Sequence, residues 1–230
     1  MYSSFFKNKK ILITGATGVI GANLCKKIKE FDCEIHVNFL NEIPNELNDI
    51  FKNCYKKQFD ICDAEEIKKL EKYDIIFHCS GYGQPKKFVN DPEKTFLLNT
   101  LTLIELTNKV NEGGHFLFLS TSELYINSKT TKEEEFISID PESSRNCYIL
   151  GKLCGEQLLK WASKNKNFNY KNIRICLAFG EFFKKNDERV LTEIIFKALS
   201  KNEINLIDDG SAIRRYIYIE DAVKMILNIF

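Results

Sequence analysis

The chain has 230 residues, a formal net charge of +1 at pH 7, and 44% hydrophobic and 28% charged residues. These values are ordinary for a globular protein with one substantial core, and the near-neutral charge disfavours a protein that binds nucleic acid by neutralising its phosphates. No apolar run approaches the roughly 20 residues that span a bilayer, and the N-terminus has no signal-peptide pattern, so we expect a cytoplasmic protein without membrane contact.

Short apolar runs alternate with helical patterns along the whole chain. Runs without period-two alternation are typical of parallel strands that are buried on both faces. We therefore predict a single α/β domain over residues 1–230, a Rossmann-type doubly wound parallel sheet with helices on both faces. Helices are predicted from the glycine turn to residue 29, after Pro92, and over 143–163. The predicted strands are 10–14, 34–38, 55–59, 74–79, 115–120 and 172–177.

A glycine-rich turn follows the first predicted strand. Gly15 permits a tight turn, Gly18 lets the backbone approach a pyrophosphate, and Gly21 lets the next helix lie close to the strand. The start of that helix presents free N–H groups and the positive end of the helix dipole. We expect a dinucleotide site rather than a tight turn without a ligand. The residues expected to form it are Gly15, Thr17, Gly18, Val19, Ile20 and Gly21.

The G-x-x-G-x-x-G spacing resembles the turn of the short-chain dehydrogenase/reductase superfamily, and downstream motifs extend the resemblance. Tyr148 and Lys152 form the Y-x-x-x-K pair, and Thr121 stands in a segment similar to the family's catalytic Ser/Thr segment. The resemblance implies that Tyr148 exchanges the substrate proton, that Lys152 favours the tyrosinate and holds the nicotinamide ribose, and that Thr121 bonds the reacting oxygen. It also implies cofactor contacts by Asn38, Asp60, Ile61 and Asn99.

The stretch 210–221 resembles a segment of the extended branch of that superfamily, which contains nucleotide-sugar epimerases, dehydratases and decarboxylases. The resemblance implies that Arg214 binds the substrate diphosphate, since a guanidinium fork suits phosphate oxygens. The stretch 186–190 resembles the nucleotide side of UDP-glucuronate decarboxylases and implies a substrate contact by Arg189. Residues 177–230 are then expected to contribute to the substrate side, in a C-terminal subdomain that is short or truncated.

The triplet Thr121-Ser122-Glu123 narrows the implied chemistry. It matches the Thr-Ser-Glu of UDP-glucuronate decarboxylases, whereas dTDP-glucose dehydratases carry an Asp acid at the middle position. Ser122 is a poor acid, so the dehydration is disfavoured. Ser122 is instead expected to contact the substrate. Glu123 is a candidate catalytic carboxylate for the carbon next to a transient ketone; the alternative is a structural hydrogen bond at a strand end.

The sequence thus predicts a nucleotide-sugar epimerase, dehydratase or decarboxylase that transfers a hydride between a sugar carbon and a nicotinamide. NAD is the expected cofactor and NADP stays possible, because Phe39 stands where an acidic residue usually binds the ribose. The alternative is a non-catalytic NAD(P)-binding sensor or partner subunit, which Leu177 favours because relatives place a substrate-contacting asparagine there. We also expect a homodimer through the helix of Tyr148, with Leu153, Leu158 and Trp161 as apolar surface.

The cysteines predict neither disulfides nor a metal site. Eight occur, none in a C-x-x-C pair and several within apolar runs, and the three histidines are not spaced with a second ligand. We therefore expect reduced cysteines that pack as small hydrophobic side chains.

Overall fold

Six parallel strands form the central sheet of the molecule, in the order β3-β2-β1-β4-β5-β6, and β7 pairs with β8 in a separate two-stranded sheet. The computed structural model describes residues 3–128, 130–133, 137–183, 187, 189–202, 204, 209–211 and 213–230. The strands are β1 (Lys10–Thr14), β2 (Glu34–Phe39), β3 (Tyr55–Gln58), β4 (Tyr73–His78), β5 (Val110–Thr121), β6 (Asn169–Ile175), β7 (Leu177–Phe179) and β8 (Tyr216–Tyr218).

Helices connect the strands and cover the sheet. They are α1 (Ser3–Phe6), α2 (Val19–Ile28), α3 (Ala64–Lys68), α4 (Pro85–Asn90), α5 (Pro92–Asn99), α6 (Leu101–Thr107), α7 (Asn146–Lys166), α8 (Val190–Lys201) and α9 (Ile219–Asn228), with short 3₁₀ turns at Asn45–Leu47 and Ser122–Tyr125. No helix among the described residues is long and apolar enough to cross a membrane.

Two hydrophobic cores lie on the two faces of the sheet. Ile11 and Ile13 of β1 pack into one core together with residues of α2 and α9, whereas Leu12 packs into the other with residues of α3, α5, α6 and α7. Successive side chains of a strand point to opposite faces, so a fully apolar strand is what a sheet covered on both sides requires. The predicted doubly wound fold with helices on both faces is confirmed.

Two element predictions were wrong in detail. The run 172–177 does not form one strand: β6 ends at Ile175, and Leu177 begins β7, which pairs with Tyr216 of β8 outside the central sheet. The apolar run continues across this boundary, so periodicity could not reveal it. The long helix predicted after Pro92 is two helices, because Thr100 (φ −130°, ψ −84°) leaves the helical conformation between α5 and α6.

Candidate active site

The glycine turn brings three parts of the fold into close contact. Gly15 has φ +61°, and a Cβ there would lie 2.7 Å from the backbone nitrogen of Ser80 after β4. A Cβ at Gly21 would lie 2.5 Å from the Gly15 carbonyl oxygen. Only glycine fits both places, so the start of α2 lies directly against the carboxyl ends of β1 and β4, the edge where ligands of such sheets bind.

The first turn of α2 fits an anionic ligand. Gly18 is the N-cap and offers no side chain to bond the free N–H groups, and the first turn of α2 has no acidic residue. Uncapped N–H groups together with the helix dipole favour a bound anion. Thr17, Val19 and Ile20 flank these groups and are all partly exposed. The residues present therefore fit the pyrophosphate of a dinucleotide.

The side chains expected at the adenosine end are engaged within the protein. The Asn38 side-chain amide donates to the carbonyls of Lys57 (3.2 Å) and Phe59 (3.1 Å). Asp60 accepts from the Cys62 backbone nitrogen and pairs with Lys94 at 2.5 Å. Burial raises the pKa of Asp60, but these hydrogen bonds outweigh it and lower the pKa overall. Ile61 is buried beside them.

The predicted catalytic trio comes together at the end of β5. Thr121, the last residue of β5, is buried and lies close enough to the phenol of Tyr148 on α7 to lower its pKa. Burial raises the pKa of Tyr148 to about 12, although the nearby Thr121 hydroxyl and the charges of Arg145 and Arg189 lower it. The Lys152 ammonium lies 5.8 Å from the centre of the Tyr148 ring.

Lys152 is held inside the protein by few polar contacts. It is 5% exposed, its Nζ donates to the Leu119 carbonyl at 2.6 Å and lies 4.6 Å from the centre of the Phe118 ring. Burial lowers the pKa of Lys152 to about 7, against the opposing charges of Cys79 and Glu156. Its ammonium is therefore easily deprotonated until a further acceptor or negative charge reaches it.

Asn99 lies at the end of α5, next to the helix that carries Tyr148 and Lys152. Its amide nitrogen donates to the Thr95 carbonyl at 2.7 Å, and a Cβ at Gly151 of α7 would lie 3.4 Å from the Asn99 Cβ, so the two helices approach closely here. The side-chain oxygen is buried and has no hydrogen-bond partner among the described residues. A buried acceptor without a partner is costly, so this oxygen is suited to a bound water or cofactor group.

Glu123 is paired with an arginine that sequence reasoning did not single out. Arg145 donates to both oxygens of Glu123, at 3.0 and 2.6 Å, and its guanidinium lies 5.0 Å from the centre of the Phe88 ring. Phe88 in turn stacks on Tyr148, with centroids 4.7 Å apart and planes 6° from parallel. The two candidate acid–base groups are thus joined through Arg145 and Phe88. The only sequence signal was the position of Arg145 three residues before Tyr148.

A buried polar network supports the same strand end. Glu156 of α7 accepts from Ser120 at 2.5 Å and binds Arg174 of β6 through both oxygens. Arg174 also donates to the Tyr125 hydroxyl at 2.7 Å. A buried carboxylate satisfied by three donors fixes its neighbours in place. The network therefore holds β5, β6 and α7 in register around Thr121, which lies next to Ser120.

The residues expected on the substrate side are only partly brought together. Arg189 influences Tyr148 electrostatically but is held by Asp187 through a bidentate pair. Residues 186 and 188 of that motif lie outside the described residues. Arg214 is exposed and donates to the carbonyl of Ile213. The described contacts do not join it to the Tyr148 cluster.

A cleft of about 610 Å³ lies along β6 and α9. Ser122, Tyr125 and Arg215 are among the residues that line it, but neither Tyr148 nor Lys152 is. The cleft is therefore adjacent to the candidate catalytic groups and does not enclose them, and we place the candidate site by its side chains.

A family model described as the NAD dependent epimerase/dehydratase family matches residues 11–230. The chain belongs to this family. The resemblance expected from the glycine turn and the Tyr–Lys pair is confirmed, and the family is NAD-dependent, as the turn suggested.

Curated relatives include UDP-glucuronic acid decarboxylases, the group of enzymes that the Thr-Ser-Glu triplet resembles. The chain is 27% identical over 229 residues to UDP-glucuronic acid decarboxylase 1 of Danio rerio, covering 96% of this chain and 54% of that protein. It is 25% identical to UDP-glucuronic acid decarboxylase 6 of Arabidopsis thaliana, covering 99% and 68%. The chain spans about half the length of the first of these relatives.

Solved structures share the fold. An epimerase from Methanothermobacter thermautotrophicus has a TM-score of 0.85 at 22% identity, over 99% of this chain and 69% of that one. UDP-glucuronic acid 4-epimerase from Bacillus cereus, solved with UDP-glucuronic acid and NAD, has a TM-score of 0.75 at 20% identity, over 96% and 72%.

Proposed function

We propose that this protein is a cytoplasmic nucleotide-sugar enzyme that oxidises a sugar-ring carbon with bound NAD as the first step of a decarboxylation or an epimerisation. The observation that carries the proposal is that Thr121, Tyr148 and the buried Lys152 lie together at the carboxyl edge of the sheet that also holds the glycine turn, with the Lys152 Nζ 5.8 Å from the centre of the Tyr148 ring. A protein that only binds a dinucleotide has no need of this trio.

The trio is suited to moving one proton. Tyr148 lies next to Thr121, so a sugar hydroxyl that reaches both can donate its proton to the tyrosinate form of Tyr148 while Thr121 keeps the oxygen in line. When bound, NAD⁺ would supply the hydride acceptor and a positive ring charge. Burial keeps the phenol protonated in the free protein, and nearby positive charges stabilise the tyrosinate, as Arg145 and Arg189 already do in part.

Lys152 has a positioning role as well as an electrostatic one. Its Nζ uses one donor on Leu119, which leaves two for the ribose hydroxyls of a dinucleotide. Binding such acceptors offsets the burial that lowers its pKa, so a bound cofactor favours the charged form. The charged form then favours the tyrosinate. Cofactor binding and activation of Tyr148 are thereby linked through one side chain.

Glu123 is the candidate catalytic group for the step that follows oxidation of the sugar carbon. Oxidation of a ring carbon makes the neighbouring position acidic or ready to lose carbon dioxide, and the Glu123 carboxylate is linked to Tyr148 through Arg145 and Phe88. The Thr-Ser-Glu triplet and the relatives named as UDP-glucuronic acid decarboxylases favour decarboxylation of a UDP-sugar acid. We assign substrate contacts to Ser122, Arg189 and Arg214, with residues 177–230 on the substrate side of the single domain, and we propose a homodimer.

A substrate panel tests this function. Full-length gene product with NAD⁺ is incubated with UDP-, GDP-, CDP- and dTDP-sugars, including UDP-glucuronic acid, and the products are identified by mass. We expect UDP-glucuronic acid to lose 44 mass units as carbon dioxide, whereas an epimerase leaves the mass unchanged and yields an isomer that chromatography separates. Tight NAD binding with no turnover of any sugar would favour the sensor or partner-subunit alternative instead.

A further inference from the structure

The thiols of Cys25, on α2, and Cys54 face each other within the hydrophobic core on one side of the sheet. The Sγ atoms of Cys25 and Cys54 lie 3.7 Å apart, in hydrogen-bond contact, although 29 residues separate them in sequence. Cys25 lies on α2 and is fully buried, while Cys54 lies just before β3, outside any helix or strand, and is partly exposed. All eight cysteines are free thiols in this structure.

From this geometry we propose that Cys25 and Cys54 form a modification site, at which a hydroperoxide oxidises the pair to a disulfide. The site is separate from the Tyr148 cluster, and the proposal does not depend on the proposed function. A disulfide requires an S–S distance of about 2.05 Å, so the sulfurs need only a short approach, which the irregular segment around Cys54 can supply.

The surroundings divide the two thiols into an attacking and a resolving group. The hydrogen bond from Cys25 lowers the pKa of Cys54, and Lys29 and Lys56 lower it further against the effect of burial. The same hydrogen bond and burial raise the pKa of Cys25. Thiolates react and thiols do not, so the partly exposed Cys54 is the group that meets the oxidant first.

The reaction has two balanced steps. With hydrogen peroxide as the oxidant, the Cys54 thiolate attacks one peroxide oxygen, the O–O bond breaks, and after proton uptake the products are the Cys54 sulfenic acid and water. The Cys25 sulfur then attacks the Cys54 sulfur, the S–O bond breaks, the thiol proton joins the departing hydroxide, and a second water leaves. Two thiols are oxidised to one disulfide while one hydroperoxide is reduced. The product links α2 to the segment that enters β3.

Cys33 provides a matched control within the same cluster. It packs against the same core, and its Sγ donates to a backbone carbonyl (Ile28) as that of Cys54 does (Ile50). Burial, however, raises the pKa of Cys33 to about 11, whereas that of Cys54 is lowered. Trypsin separates the three cysteines, because cleavage after lysine places them in peptides 11–26, 30–52 and 53–56. The identity of any linked pair can therefore be read directly from peptide masses.

The experiment treats the folded full-length protein with hydrogen peroxide, blocks the remaining thiols with N-ethylmaleimide in denaturant, and maps tryptic peptides by mass. We expect a 11–26/53–56 link in the wild type and in Cys33→Ser, removed by dithiothreitol. Cys54→Ser should abolish the link, and Cys25→Ala should leave a Cys54 sulfenic acid that dimedone traps. Absence of the link in the wild type, or a dominant link to peptide 30–52, would overturn the proposal.

Discussion

Burial lowers the pKa of Lys152, and the free energy of unfolding should therefore depend on pH. Its pKa is about 7 in the folded chain against 10.5 for an exposed lysine. Between these two values the unfolded state binds the extra proton and the folded state does not, so the free energy of unfolding rises with pH. Below pH 7 Lys152 is protonated in both the folded and the unfolded state, so the cost of burying its charge lowers the free energy of unfolding in full.

Replacing Lys152 with Met removes that cost. We expect Lys152→Met to be more stable than the wild type by about 2 kcal/mol at pH 7, after allowance for the hydrogen bond lost at Leu119. The difference should shrink as the pH rises towards 10. Urea unfolding of both proteins across this range measures it, and a difference that is independent of pH would contradict the assignment.

Glu156 is the residue on which the polar network at the end of β5 depends. Glu156→Gln removes the charge that binds Arg174 and Ser120, so we expect a loss of about 2–3 kcal/mol in the free energy of unfolding. Glu65→Gln is the control, because the exposed Glu65–Lys68 pair should contribute less than about 0.5 kcal/mol. Equal losses in the two variants would show that the network contributes no more than a surface pair.

At the scale of elements, the β1–turn–α2 unit depends on a glycine that no other residue can replace. Gly15→Ala places a methyl group 2.7 Å from the Ser80 nitrogen at a positive φ, so we expect about 2 kcal/mol of destabilisation and much weaker NAD binding. Gly83→Ala, whose methyl group meets nothing within 4 Å, is the control. Unchanged NAD affinity in Gly15→Ala would show that the glycine turn is not part of the cofactor site.

The elements that sequence predicted well are those whose signal is local. The turn Gly15–Gly21 and the spacing from Tyr148 to Lys152 are each readable within one helix or turn, and the structure places both at the same sheet edge. Phe88 and Arg145 could not be found in this way, because their contacts with Tyr148 and Glu123 join segments that only the fold brings together. For the same reason the division between β6 and β7 depends on pairing with β8, far along the chain.

The exposed apolar side chains of α6 and α7 are the part of the whole molecule that bears on assembly. Leu101 of α6 and Trp161 of α7 are 58% and 59% exposed, and Leu150 of α7 is also exposed. We expect Trp161→Asp to convert a dimer into a monomer in sedimentation experiments. Leu199→Asp, at a residue 80% exposed on α8, should leave the assembly unchanged. A wild type that sediments as a monomer would rule out the proposed homodimer.

The most direct test of the whole account is a single-turnover measurement of nicotinamide reduction with the full-length protein and its preferred nucleotide sugar. The wild type should reduce bound NAD⁺ in the first step, and Tyr148→Phe should slow this step by about 100-fold or more while its NAD affinity stays within a few-fold of the wild type. The phenyl ring keeps the stacking on Phe88, so only the hydroxyl is lost. Reduction at the wild-type rate in Tyr148→Phe would contradict the central claim that Tyr148 exchanges the substrate proton.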